Sequence, residues 1–289
     1  MNLCEKLQAG KFIVTTEIGP PKGIETGRLL DEAALIRGRV DAISVTDLQS
    51  SVMRLGALAV CILLKQNHFE PIYQLTCRDR NRLALQSDLL SAAVFGIENI
   101  LALTGDHPKS GDHPEAKPVF DLDSVQLIKA VGDLQKGTDM KGNLLAGGAP
   151  RFCAGAVVNP GAEPMEPEII KMEKKIASGA QFLITQAVYD IKIFEKFLHK
   201  TEHFKVPVLA GIIMLKSGAM ARHMNANVSG VTVPDCLIRE MEDAGDKYRQ
   251  SIVIASRLIR QFRQMCQGVH IMPIGWNRFL PQVLDASGL

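Results

Sequence analysis

Aromatic residues are scarce in this 289-residue chain: one Trp, three Tyr and 11 Phe, 5% in all. So few rings argue against a platform that stacks successive single-stranded bases. No charge of one sign dominates, since 33 Lys and Arg stand against 31 Asp and Glu, a net +2. That balance supplies no field to attract nucleic acid or an anionic lipid surface. No apolar run reaches the roughly 18 residues a membrane span needs. The opening residues, Met1 to Lys6, lack the basic stretch and apolar segment of a signal peptide. Six cysteines (Cys4, Cys61, Cys77, Cys153, Cys236, Cys266) are scattered without a Cys-x-x-Cys pair. Neither a zinc site nor a small disulfide scaffold is expected, and no bound metal. Buried free thiols in a reducing cytoplasm are the expectation. Also missing are Gly-x-x-x-x-Gly-Lys-[Ser/Thr], His-Glu-x-x-His and a nucleophile elbow, so kinase-like P-loops, zinc proteases and serine hydrolases have no support.

What is present is core material: 46% of residues are hydrophobic and 22% charged, a composition incompatible with disorder. Apolar β-type runs fall at Phe12–Ile18, Ala42–Thr46, Pro71–Thr76, Asn99–Thr104, Phe152–Val158, Phe182–Val188, Val208–Met214 and Val269–Ile274. Near-continuous apolar runs suit parallel strands covered on their outer face. Between them lie helical patterns. Arg54–Gln66 carries Leu55, Leu58, Ala59, Ile62 and Leu63 as one face, and Asn81–Phe95 carries Leu83, Leu85, Leu89, Leu90 and Val94. Glu166–Ser178 stops at Gly179, a natural helix end, and a longer helix runs from about Asp246 to Cys266. Eight alternations of strand and helix predict a (β/α)8 TIM barrel, one catalytic domain over 1–289. The rival, an open doubly wound sheet, should show Gly-x-Gly-x-x-Gly after the first strand, where this chain reads Gly19-Pro20-Pro21-Lys22-Gly23. Two loops are long, Asp106–Pro118 after the fourth strand and Gly137–Pro150 before the fifth. The first belongs to the face that carries active sites, the second to the opposite one.

Catalytic groups in such a barrel sit at strand C-terminal ends. That rule selects Glu17, Thr46 with Asp47, Gln74 with Thr76, Thr104-Gly105-Asp106, Asn159-Pro160, Gln186, the region of Leu215, and Gly275-Trp276. Glu17 stands out inside an apolar run. A partly desolvated carboxylate holds its proton more readily and suits proton donation near neutral pH. The plainer alternative is an ion pair with Arg or Lys on a neighbouring strand. Asp106 is the second residue of Gly-Asp-His-Pro at Gly105–Pro108, which recurs at Gly111–Pro114. Two similar turns anchoring a loop explain that repeat better than a metal site does. Gln186 can donate to and accept from a heterocycle, or bond to barrel backbone. Lys175 could meet a phosphate or carboxylate, or be solvated. Arg257, Arg260 and Arg263, three apart, should form a wet helix face.

Taken together, Thr16-Glu17-Ile18-Gly19-Pro20-Pro21-Lys22-Gly23, Ile43–Asp47, Leu75–Asp79, Ala102–Asp106, Lys175–Ala180 and Phe182–Gln186 resemble the methylenetetrahydrofolate reductase family. The stretch after about residue 217 matches less clearly. The resemblance implies a barrel with a noncovalent flavin, FAD or FMN, across its strand ends, reducing 5,10-methylenetetrahydrofolate to 5-methyltetrahydrofolate. It implies Glu17 as general acid, Asp106 as the carboxylate beside flavin and pterin, and Gln186 as a pterin-binding amide. Flavin contacts would come from Thr46, Gln74, Thr76, Thr104, Gly105, Asp106, Asn159 and Lys175.

The chain departs from the family pattern. Thr104 stands where many bacterial relatives have Arg, Gln74 where they have His, and Asn159 replaces a Tyr. The aromatic usual after the seventh strand is missing near Ser217-Gly218. These losses leave FAD and FMN both open. They tilt the electron donor away from free NAD(P)H towards an iron–sulfur partner subunit, since no cysteine cluster here could hold such a cluster. The rival is NAD(P)H with an aromatic from elsewhere, such as Trp276. An oligomer or hetero-complex is expected. Two alternatives remain: a folate- or flavin-using barrel with another hydride acceptor, and a flavin-holding barrel subunit that relays electrons without folate chemistry, which would have no need of Glu17.

Overall fold

The computed structural model describes residues 1–289. Eight strands, β1 (Ile13–Ile18), β2 (Ala42–Val45), β3 (Pro71–Thr76), β4 (Asn99–Leu103), β5 (Cys153–Val158), β6 (Phe182–Ala187), β7 (Val208–Ile213) and β8 (Gly268–Met272), close into one barrel in sequence order. Every ladder is parallel, and β1 pairs with β8 through Ile13–Gly268 and Thr16–Ile271. All but the last strand match the sequence expectation to within one residue at each end. β8 stops early because Pro273 has no N–H for the ladder and Ile274 turns left-handed at φ 47. Gly275 and Trp276 therefore belong to a loop beyond the strand.

The helices are α1 (Leu3–Gln8), α2 (Gly27–Ala34), α3 (Ala57–Gln66), α4 (Arg82–Val94), α5 (Ser124–Gln135) and α6 (Glu166–Ala177) in the first part. α7 (Ile191–Thr201), α8 (Gly218–Asn227), α9 (Asp235–Asp243), α10 (Lys247–Phe262) and α11 (Leu280–Ser287) follow. Their starts are written in the sequence: Asn81, Asp123, Asp190 and Asp246 each accept backbone N–H groups of a first turn. α6 ends as expected, with Gly179 at φ 114 just beyond it.

Two expected helix faces need correction. On α3 the buried residues are Ala57, Val60, Cys61 and Leu64, while Ala59 is exposed. On α4, Leu85, Leu89 and Ala92 are buried, whereas Leu83 and Val94 lie 74% and 82% exposed. Both helices are apolar on more than one side, so periodicity alone could not choose. The arginines at the end of α10 and just beyond it do form a solvent-facing row, with Arg260 and Arg263 exposed and Arg257 half-exposed. Arg257 pairs with Glu240 of α9 at 2.8 Å, and Arg260 and Arg263 donate to the carbonyls of Ala286 and Gly288.

The barrel's interior changes character along its axis. Its lower layer is Ile13, Ile72, Leu101, Phe182 and Leu209, closed from below by Leu3 and Leu7 of α1. Phe182 fills the space beside Gly155, where a Cβ would lie 2.3 Å from the ring. Cys4 of α1 is disulfide-bonded to Cys153 of β5, which corrects the expectation of six free thiols. The plug helix brings their Cα atoms to 5.8 Å, within bridging range. Cys61, Cys77 and Cys266 are buried thiols as expected, and Cys236 is exposed. No helix is long and apolar enough to cross a membrane.

Candidate active site

Inward and outward side chains alternate along each strand. Above the apolar layer the inward positions are Thr15, Ser44, Gln74 and His270, and above these Glu17, Thr46 and Thr76. Glu17 is 11% exposed. Its carboxylate receives the side-chain amides of Gln49 and Gln74, each at 3.3 Å. Gln74 also donates to Ser44 Oγ at 3.0 Å. Behind Glu17 lies His270, its Nε2 3.8 Å from Glu17 Oε2 and its Nδ1 2.8 Å from Thr15 Oγ1. The expected alternative, an Arg or Lys pair for Glu17, is not what the barrel provides: the neighbours are two neutral amides and a histidine.

Asp47 forms the rigid wall. Its side chain is fully buried and takes Arg80 through both oxygens at 2.7 and 3.2 Å. It also accepts the Thr76 backbone N–H at 3.0 Å and hydroxyl at 2.8 Å, fastening β2 to β3. The paired carboxylate holds the Arg80 proton more tightly than usual, outweighing the opposing effect of burial. Cys77, next in the chain, is pushed up to about 12 by burial, with Asp123 adding to the effect.

Two cavities open on this face and meet at Glu17 and Gln49. One, of about 260 Å3, is walled by Thr46, Gln74, Thr76, Thr104, Gly105 and Asp106. The other, of about 500 Å3, lies between the loops after β1 and β8, lined by Arg28, Glu32, Arg54 and Asn277 among others. Of the ten site residues that the resemblance implies, seven are thus gathered: Glu17, Thr46, Gln74, Thr76, Thr104, Gly105 and Asp106. Three are not. Asn159 donates to Ser229 O at 3.0 Å and accepts from Gly161 N at 3.2 Å. Lys175 donates to Val157 O at 2.6 Å, and desolvation lowers its proton affinity. Gln186 lies half-buried beside a ladder irregularity between Ile184 and Ala187, with Thr185 Oγ1 donating to its carbonyl at 2.7 Å.

The loop after β4 anchors to its neighbours as its repeated turns suggest. His107 caps the 3-10 turn Pro108–Ser110. Asp112 pairs with Lys22 and His113 and accepts from Met53 N at 3.0 Å, bonds that hold its carboxyl well below the ordinary range. Gln49, Arg78 and His270 are the site residues that sequence reasoning missed. His270 had a signal: it is the polar inward residue between outward Val269 and Ile271. Gln49 had none.

A flavin would have to fit this chain's own groups, and one observation bears on it. Thr46 Oγ1 is buried beside the smaller cavity without a hydrogen-bond partner. A buried hydroxyl left unpaired is costly, and a ring edge bearing N–H or carbonyl groups would satisfy it. Gly105, at φ 93, keeps the adjoining wall low, since a Cβ there would press on Thr76 and Arg78 at 3.2 and 3.1 Å. The polar wall suits an isoalloxazine.

A closed parallel barrel with a half-buried acid and two polar cavities at its strand C-termini defines a (β/α)8 barrel of the enzyme type. The sequence profile of the methylenetetrahydrofolate reductases matches residues 2–288, and the chain belongs to that family. It is 25% identical over 252 residues to methylenetetrahydrofolate reductase 2 of Schizosaccharomyces pombe, covering 78% of this chain and 37% of that protein. To the 5,10-methylenetetrahydrofolate reductase of Pectobacterium carotovorum it is 25% identical over 233 residues, covering 78% and 72%. The chain therefore spans about a third of the length of its fungal relative and most of the bacterial one. Among solved structures, it matches a Clostridium thermocellum protein that binds two copies of 5-methyl-5,6,7,8-tetrahydrofolic acid. The TM-score is 0.65 at 16% identity, covering 99% of this chain and 97% of that one.

Proposed function

We propose that this chain reduces 5,10-methylenetetrahydrofolate to 5-methyltetrahydrofolate, with a noncovalent FAD or FMN and with Glu17 as proton donor. The observation that carries the reading is the position of Glu17. It is mostly enclosed, stands where two cavities meet, and is held by two amide donors. The folate named for the Clostridium thermocellum protein agrees with it.

When bound, the flavin supplies hydride. Thr46, Gln74, Thr76, Thr104 and Gly105 would hold it, while Asn159 and Lys175 shape the end of β5 through their bonds within the chain. A methylene bridge accepts hydride poorly until one C–N bond breaks. Glu17 gives its proton to N10, the five-membered ring opens, and an iminium forms at N5. The amides of Gln49 and Gln74 stabilise the carboxylate left behind. Asp106, across the smaller cavity, offsets the positive charge at N5. Gln186 serves the pterin from the far side. His270, fixed by Thr15, backs Glu17 at 3.8 Å. A barrel that only relayed electrons would have no use for an enclosed acid, so Glu17 weighs against that alternative.

One observation bears on the electron donor. Lys216 Nζ lies 5.5 Å from the centre of the Trp276 ring, so an aromatic does border the turn after β7, supplied by the loop after β8. The ring itself packs against Tyr248 and Phe279 and lines neither cavity, so it admits NAD(P)H as direct donor without displacing an iron–sulfur partner. Anaerobic stopped-flow with the chain alone decides between them: bleaching of the flavin by NADH or NADPH would favour the nucleotide, and reduction by dithionite alone would favour the partner. The whole reading is tested by the absorbance of the purified protein and by formation of 5-methyltetrahydrofolate with a reduced viologen. Colourless protein that neither flavin reconstitutes would sink it.

A further inference from the structure

Arg78 is among the largest side chains wholly enclosed by the protein, 2% exposed, and the reaction above makes no use of it. Its guanidinium joins three loops. Nε and Nη2 hold Asp79 at 2.9 and 2.7 Å. Nη1 donates to Ser51 Oγ at 3.0 Å and to the Asp106 carbonyl at 3.4 Å, and Nη2 to the Leu48 carbonyl at 3.3 Å. Ser51 Oγ donates in turn to the carbonyls of Asp106 and His107 at 3.1 and 3.3 Å. The loops after β2, β3 and β4 thus meet on one buried cation.

The loop after β2 is the one that needs holding. Leu48, Ser50 and Ser51 have φ of 48, 55 and 58, a left-handed region that residues with a Cβ occupy only under constraint. Gly111 presses on this turn from the loop after β4, so closely that a Cβ would lie 1.9 Å from the Ser51 carbonyl oxygen. Inside the turn sits Gln49, the donor to Glu17.

We propose that Arg78 is a positioning residue for the folate half-reaction: it clamps the left-handed Leu48–Ser51 turn so that Gln49 is presented to Glu17, and it fixes the backbone of Asp106 on the opposite wall. This rests on the reading of Glu17 as proton donor. The Arg78 charge is spent on Asp79 and on enclosing backbone, so its action is geometric. A planar fork of N–H donors sets several acceptors at once, which a lysine ammonium cannot do.

A double-mutant cycle on the flavin-loaded protein tests the clamp. Arg78→Lys and Gln49→Ala should each lower kcat for methylenetetrahydrofolate about tenfold, with KM within about twofold, as misplacement of a reacting group does. The double variant should be no slower than the slower single one, because both remove the same contact. A readout free of activity is the side-chain amide 15N resonance of Gln49, assigned by its loss in Gln49→Ala. It should shift in Glu17→Gln and in Arg78→Lys. Should Arg78→Lys fail to fold, Ser51→Ala removes one link and should move the same resonance in the same direction. Losses that multiply in the double variant, or a Gln49 resonance unmoved by Arg78→Lys and Ser51→Ala, would overturn the proposal. Full activity in Glu17→Gln would overturn the proton-donor reading and with it the catalytic part of this one, while the resonance would still report separately on the clamp.

Discussion

The mouth of the barrel has two unlike sectors on one kind of ladder. Across β1–β3 the upper inward residues are polar: Glu17 is bonded to Gln74, Thr76 to Asp47 with Arg80 behind it, and the Thr46 hydroxyl is left unpaired. Across β4, β5 and β7 the corresponding residues are Leu103, Val157 and Ile213, partly buried and apolar. Both sectors have the same strand geometry, so the ladder decides only where side chains point. A fused-ring ligand has apolar faces and polar edges. A sector of donors and acceptors facing an apolar one suits that division: edges are read on one side and a face is covered on the other.

That contrast can be broken in several places. The largest effect should follow Asp47→Ala, which leaves Arg80 with Asp88 alone and strips the Thr76 N–H of its acceptor. Breaking a buried pair typically costs about 3–5 kcal/mol. The remaining partner places the expected loss at about 3 kcal/mol, read by urea unfolding. Glu17→Gln should leave stability nearly unchanged and lower methylenetetrahydrofolate reduction about 100-fold, read by product formation under saturating reduced viologen. A large loss of stability in place of activity would make the polar sector mere scaffold.

Thr46→Val keeps shape and removes the unpaired hydroxyl. If that hydroxyl meets the flavin, affinity should fall by about 0.5–1.5 kcal/mol, a factor of about 2–10 by flavin fluorescence titration. Unchanged affinity would take Thr46 out of the cradle. The smallest effect belongs to Lys175, behind the apolar sector, whose proton affinity is lowered by desolvation from an ordinary 10.5. Below its folded-state value it is charged in both states and the burial penalty is complete. Between that value and 10.5 the unfolded chain binds more protons, so stability should rise with pH. Lys175→Met should lack this alkaline rise in melting temperature, and identical pH profiles would contradict it.

Most of the barrel was legible because parallel strands covered on their outer face read as apolar runs, and Glu17 and Asp106 were legible because strand ends are where barrels act. The faces of α3 and α4 were not, since apolar residues surround both helices. Asn159 and Lys175 lie at readable positions, yet their partners, Ser229 and Val157, are set by packing that no local pattern encodes. Gln49 and Arg78 depend on a left-handed turn without a glycine to announce it. The Cys4–Cys153 bridge escaped because the plug helix, too short for a periodic signal, brings together residues 149 apart in sequence.

If Glu17 is the proton donor proposed above, the plug also governs its proton supply. Below Thr15, Ser44 and His270 the interior is hydrocarbon but for Asn99, whose amide is bonded to Glu70 and the Pro71 carbonyl, and α1 stoppers the lower end. The barrel is a blind well. Every proton that Glu17 would give away has then to be replaced through the opening by which the proposed folate substrate would enter and leave. Reloading the acid would thereby be tied to clearing the mouth, with a departing product and an arriving proton sharing one doorway.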